Sequence, residues 1–68
     1  MNLLNYLIWS YEHNAWWNPH SMGYTPNRDL AGRYGYEQAL SIVRSANSMG
    51  TINEVMIPDD ETSKVPTI

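Results

Sequence analysis

Hydrophobic and polar positions alternate near the start of the chain and change to helical spacing in its middle. In Tyr6-Leu7-Ile8-Trp9-Ser10-Tyr11 a period of two puts Leu7, Trp9 and Tyr11 on one face and Tyr6, Ile8 and Ser10 on the other, which predicts a first strand. The polar trio Glu12-His13-Asn14 reads as a tight turn, after which Ala15-Trp16-Trp17 pairs back antiparallel until Asn18-Pro19 ends it. Further on, Thr25 at an N-cap position, Pro26 at the first helical position and Gly32 just past the end mark one or two helical turns. From Tyr36 to Met49, the residues Ala39, Leu40, Val43, Ala46 and Met49 recur at helical spacing with Ile42 beside them. Gly35 takes the N-cap of this helix without a side-chain acceptor, and Gly50 supplies the stop. Glu54-Val55-Met56-Ile57 reads as a last short strand ended by Pro58.

The fold class that follows is α+β: an antiparallel sheet of about three strands with one main α-helix packed on one face. Residues 1–58 form a single small domain, and the polar, unpatterned residues 59–68 a flexible tail. A chain of 68 residues is marginal, because folding at this size buries only about 60% of the surface the unfolded chain exposes. With no cysteine, neither a disulfide nor a thiolate zinc site adds stability. A helix on one face also leaves the other sheet face bare. Both considerations predict a homo-oligomer.

Charge narrows the partners. Seven acidic residues against four basic ones give a net charge of −3, which disfavours a protein that neutralises many phosphates of duplex nucleic acid but still allows a small phosphorylated ligand. The apolar start, Met1 to Trp9, contains Asn2 and Asn5 and has no basic lead, so it reads as neither signal peptide nor membrane span. The expected location is the cytoplasm, with no membrane partner. The lack of cysteine agrees with a reducing compartment.

The candidate chemistry concentrates in Ala15-Trp16-Trp17-Asn18-Pro19-His20-Ser21-Met22-Gly23-Tyr24-Thr25, where large rings stand among loop-forming residues. Two readings are open for Trp9, Trp16, Trp17, Tyr24 and Tyr34. They form the core of a chain that has no Phe, or some of them stack a ligand. Trp16 and Trp17 are neighbours on a strand and must point to opposite faces, so at most one of them enters the helix-side core. Arg28, Arg33 and Arg44 either pair with Asp29, Glu37 or Glu54 at the surface or supply the guanidinium that holds the phosphate of a stacked base. Arg33, between Gly32 and Tyr34 and near two helix starts, is the leading candidate. His13 and His20 are seven apart with no third ligand, and no phosphate loop, nucleophile elbow or paired-carboxylate pattern is present. The expected set is a ligand site of Trp16, Trp17, His20, Tyr24, Arg28, Arg33 and Tyr34, with no catalytic residue, metal or cofactor.

The elements Tyr6-Leu7-Ile8-Trp9-Ser10, Glu12-His13, Ala15-Trp16-Trp17, Gly23-Tyr24-Thr25, Leu30, Ala31-Gly32-Arg33-Tyr34, Glu37, Ala39 and Ala46-Asn47 resemble a group of short uncharacterised proteins of bacteriophages and prophages. The resemblance spans roughly Tyr6 to Ile57. It departs at Gly35, where members of that group carry a serine after the AGRY element. It implies a phage origin, action in the cytoplasm of an infected bacterium, and no established chemistry. By analogy with small accessory phage proteins, the expected role is counter-defence by binding rather than by enzymatic chemistry. The first form is a sponge that sequesters a cyclic nucleotide at an oligomer interface. The alternative is an inhibitor, like an anti-CRISPR protein, that covers a host defence nuclease or effector.

Overall fold

The computed structural model describes residues 5–48, 50 and 52–60, so Met49, the last apolar position of the expected helix, and tail residues 61–68 lie outside the described residues. A four-stranded antiparallel sheet carries one α-helix, the expected α+β architecture with one strand more. The strands are β1 (Tyr6–Ser10), β2 (Ala15–Trp17), β3 (Tyr24–Thr25) and β4 (Glu54–Pro58), in the order β3-β2-β1-β4. β3 is missing from the hydropathy pattern because it is only two residues long and lies between Gly23 and Pro26.

β1 is the central strand. It pairs along its whole length with β4, with Leu7 opposite Ile57 and Trp9 opposite Val55, but meets β2 only through Trp9↔Trp16 and Ser10↔Ala15. The vacant part of the β2 lane is filled by the segment that follows the loops. Tyr34 exchanges backbone hydrogen bonds of 2.7 and 2.8 Å with Tyr6, and the Gly32 N–H donates to the Trp17 carbonyl at 2.8 Å. Gly32 is required by close approach: a Cβ there would lie 2.9 Å from the Pro19 backbone and 2.8 Å from the Tyr34 ring.

The one-or-two-turn helix expected after Thr25 is a single 3-10 turn, Arg28–Leu30, and its cap is Asn27 rather than Thr25. Thr25 is held in β3, where its hydroxyl accepts the Asn27 N–H at 3.1 Å, while Asn27 Oδ1 accepts the Asp29 N–H at 2.9 Å. Pro26 therefore precedes the cap instead of following it. The main helix, α1 (Tyr36–Ala46), starts after Gly35 as expected. It stops at Ala46 because Asn47 serves β4: its side-chain carbonyl accepts the Asn53 and Glu54 N–H groups, and its amide donates to the Glu54 carbonyl.

The same contacts block the two ends of the outer edge of β4. Glu54 has both main-chain groups occupied by Asn47, and Pro58 has no N–H and accepts the Asp60 N–H. Asp59 and Asp60, the first residues of the expected tail, are held in place. The Asp59 N–H donates to the Asn5 carbonyl, and the Asp59 carboxylate pairs with Arg33 at 3.1 Å.

Alternation along the strands creates two cores. On one face Leu7, Trp16 and Ile57 pack with Ala31, flanked by half-buried Trp9 and Val55. On the other Ile8 packs with Tyr34 and with Ala39 of α1, flanked by Tyr6, Trp17, Ile42, Val43 and Met56. Trp16 and Trp17 thus take opposite faces, as strand geometry requires. The helix covers the second face, and the segment around Ala31 covers the centre of the first.

Candidate functional site

The loop between β2 and β3 is folded tightly and under strain. His20 and Ser21 have φ of 60° and 56°, the left-handed region that ordinary residues enter at a cost of about 1–3 kcal/mol, and Gly23 has φ of 86°. What over-determines this turn comes from a distance in sequence. The Tyr34 hydroxyl donates to the Asn18 carbonyl and accepts the Ser21 N–H at 3.0 Å. The Asn18 amide bonds the carbonyls of Met22 and Tyr24, and its backbone N–H donates to the Gly23 carbonyl. Ala31-Gly32-Arg33-Tyr34 is therefore the fastening of the aromatic loop: Gly32 lies against Pro19 and Tyr34 reaches under residues 18–21.

Pinned in this way, the loop forms one wall of a groove on the helix side. Trp17 and Ser21 face Ser41, Ile42, Ser45 and Ala46 of α1 across a cleft of about 420 Å³ whose lining includes no charged side chain. The Trp17 indole N–H is buried and has no hydrogen-bond partner, the one such buried side-chain polar atom among the described residues. The aromatic surface continues away from the cleft. Tyr24 meets Trp17 edge-to-face with ring centroids 5.9 Å apart, and His13 stacks on Tyr24 at 3.9 Å. Tyr24 is 40% exposed and neighbouring Met22 74%. Desolvation, together with the negative charges of Glu54 and Glu12, raises the Tyr24 phenol above its ordinary value.

The seven residues expected to form one site are divided between two faces. Trp17 and Tyr24 lie in the helix-side strip, with His20 exposed in the turn beside Ser21. Tyr34 is buried beneath that turn as its support. Trp16 and Arg28 meet on the opposite face, the guanidinium 5.5 Å from the ring centroid, so the expected pairing of an aromatic ring with a guanidinium does exist. Trp16 is only 6% exposed, however, and Arg28 also donates to the Asp60 carbonyl at 2.9 Å. Arg33 is committed too: Nε binds Asp59, and Nη1 donates to the carbonyls of Arg28 and Ala31 at 3.0 and 2.7 Å. Together the two arginines clasp the segment over Trp16 to the end of β4. Arg44 lines a hollow of about 370 Å³ on α1 that adjoins the groove through Ser41.

Ser21, Ser41, Ile42, Ser45 and Ala46 are groove residues outside the expected site, with Ile42 and Ala46 read in the sequence only as part of the apolar stripe of the helix. A signal was present, since Ser41 and Ser45 are four apart, as are Ile42 and Ala46, so each pair shares a face of the helix. A small-polar edge beside an apolar stripe marks a helix flank that packs loosely. Among the described residues no three His, Cys, Asp or Glu side chains gather as a metal-binding group, and no helix is long and apolar enough to cross a membrane. Comparison of the chain with protein-family models, curated proteins and solved structures finds no match.

Proposed function

We propose that this protein works by binding a host protein, and that the helix-side strip is its contact surface. The observation that carries the reading is the continuous run of rings from His13 through Tyr24 to Trp17, leading into a cleft without charged lining. Partly exposed aromatic anchors beside a pocket are what protein interfaces use to concentrate binding energy. An acidic chain that resembles small phage proteins gives such a surface a natural target in a protein of the infected cell, which makes counter-defence the proposed context.

The sponge reading has less support from the cations. A phosphate reaching Arg33 would have to compete with Asp59 and two carbonyls, and a base reaching Trp16 would have to lift the Arg28–Ala31 segment. That segment also covers the centre of the face whose exposure called for a partner copy, which leaves the small size of the chain as the main ground for self-association. A photo-crosslinking residue placed at exposed Met22, next to Ser21 of the groove, tests the reading during infection. Adducts to one host protein, absent when the same residue replaces exposed Gln38 away from the groove lining, are the expected result. No adduct, together with calorimetric binding of a cyclic di- or trinucleotide by the purified protein, would overturn it.

A further inference from the structure

We propose that the groove takes an uncharged amide carbonyl, from a main chain or from an Asn or Gln side chain, and that this carbonyl accepts the hydrogen bond the Trp17 indole cannot make in the free protein. The inference rests on the binding reading above and specifies what the partner must present.

A buried donor without a partner costs about 1–3 kcal/mol, so a ligand atom that accepts from it gains more than an ordinary surface contact would. The lining decides which kind of acceptor fits. A carboxylate or phosphate would be the strongest acceptor for an isolated N–H, but Trp17, Ser21, Ser41, Ile42, Ser45 and Ala46 include no cation to neutralise one. Arg28 and Arg33 are engaged with the β4 end and the segment over Trp16, and Arg44 lines the adjoining hollow with Glu37 rather than the groove itself. A purely apolar group would leave the indole N–H and three serine hydroxyls without new partners. An amide satisfies every part of the lining: its carbonyl takes the indole N–H, its own N–H is matched by a serine oxygen, and its carbon neighbours pack on Ile42 and Ala46.

Size agrees, because about 420 Å³ falls within the range of small ligand pockets and accommodates one inserted side chain with its flanking peptide group. Ser21, on the same side of the groove as Trp17, already occupies a strained left-handed conformation, so it is the part of the lining able to shift as the carbonyl approaches the buried indole N–H. Recognition on this account combines a hydrogen bond that is missing before binding with a loop that is held, by Tyr34, in a conformation it does not prefer.

The test is a titration of ¹⁵N-labelled full-length protein followed at the indole N–H signals of its three tryptophans. Trp17→Phe assigns the signal by its disappearance. Where that variant does not fold, Ser45→Tyr, which fills the groove from an exposed helix position, shows which indole signal moves. With N-acetylglutamine amide as probe, a saturable downfield shift confined to the Trp17 signal and lost in Ser45→Tyr is expected, with inorganic phosphate producing no such shift. A Trp17 signal that ignores the amide, or that responds equally to phosphate, overturns the proposal. Host-protein adducts at Met22 with an unresponsive indole would remove this inference and leave the binding reading standing; an amide response with no adduct and with cyclic-nucleotide binding would remove the binding reading and leave the amide site.

Discussion

The two faces of the sheet each receive one tryptophan from the same dipeptide, yet they are completed by different means. Trp16 lies under a short covering, the 3-10 turn Arg28–Leu30 and the following Ala31, which packs through Ala31 and is tied down by guanidinium contacts. Trp17 lies at the margin of a covering helix whose small residues, Ser41, Ser45 and Ala46, leave a cleft beside it. A single helical turn can be fitted closely over a ring, but polar staples must hold it there, and those staples engage Arg28 and Arg33. A helix is held by its own backbone bonds and by one apolar stripe, so its flank stays available for recognition. Of two adjacent tryptophans, one is thus committed to stability while the other retains an unused donor.

The largest expected effect separates the two rings directly. Trp16→Ala removes the centre of the segment-covered core and is expected to cost about 3–5 kcal/mol, a large part of what so small a domain has, so it should be largely unfolded by circular dichroism. Trp17→Ala should remain folded with a reduced melting temperature. Equal loss in both variants would abolish the distinction.

Gly32→Ala is the next largest. The added Cβ meets backbone at 2.9 Å, so about 1–3 kcal/mol is expected, or roughly 4–8 °C of melting temperature per kcal/mol. Both faces should suffer, because Gly32 positions the aromatic loop through Pro19 and leads into Tyr34.

Arg33→Ala should loosen only the segment-covered face. The ion pair with Asp59 is partly exposed and contributes at most about 1 kcal/mol. The carbonyl bonds contribute a further amount of similar size, about 1 kcal/mol. Arg33→Lys should recover little of the loss, since an ammonium cannot span Asp59 and two carbonyls at once. Thermal melts at low and high salt measure this, with the wild type losing more than Arg33→Ala as salt rises.

On the helix side, Tyr24 carries a pH dependence. Its folded value is raised, so its contribution is fully present below the ordinary phenol value of 10.0 and is lost as pH rises through the folded value. Melting temperature should therefore fall in alkaline solution, and Tyr24→Phe should lessen that fall. The smallest effect is expected at Gly35, where φ of −66° suits any residue and nothing stands within 4 Å of an added Cβ. Gly35→Ser supplies the missing cap acceptor to α1 and should raise stability by a few tenths of a kcal/mol.

How far these features could be read in the sequence depends on the range of the interactions behind them. Alternation placed β1, β2 and β4, and helical spacing with Gly35 placed the start of α1, because each is written in adjacent residues. The opposite orientation of Trp16 and Trp17 followed from strand geometry alone. β3 escaped because two residues cannot display a period, and Asn27 displaced Thr25 as the cap because pairing with Trp16 draws Thr25 into the sheet. The role of Ala31-Gly32-Arg33-Tyr34 was hidden for a different reason. Its partners are Trp17, Pro19, Ser21 and Asp59, brought near only by the fold, so the clasp that the guanidinium between Gly and Tyr makes could not be read from its neighbours in sequence. The groove was equally hidden, since it exists only where the flank of α1 meets the strained turn.

The division of labour between the faces is tested most directly by Ser45→Tyr, which occupies the cleft from an exposed position without entering either core. Its melting temperature and its association with the host protein crosslinked at the groove are measured side by side with wild type. Unchanged melting with association reduced at least tenfold is the expected result. Association at the wild-type level with the cleft filled would contradict the assignment of the helix-side groove as the binding surface.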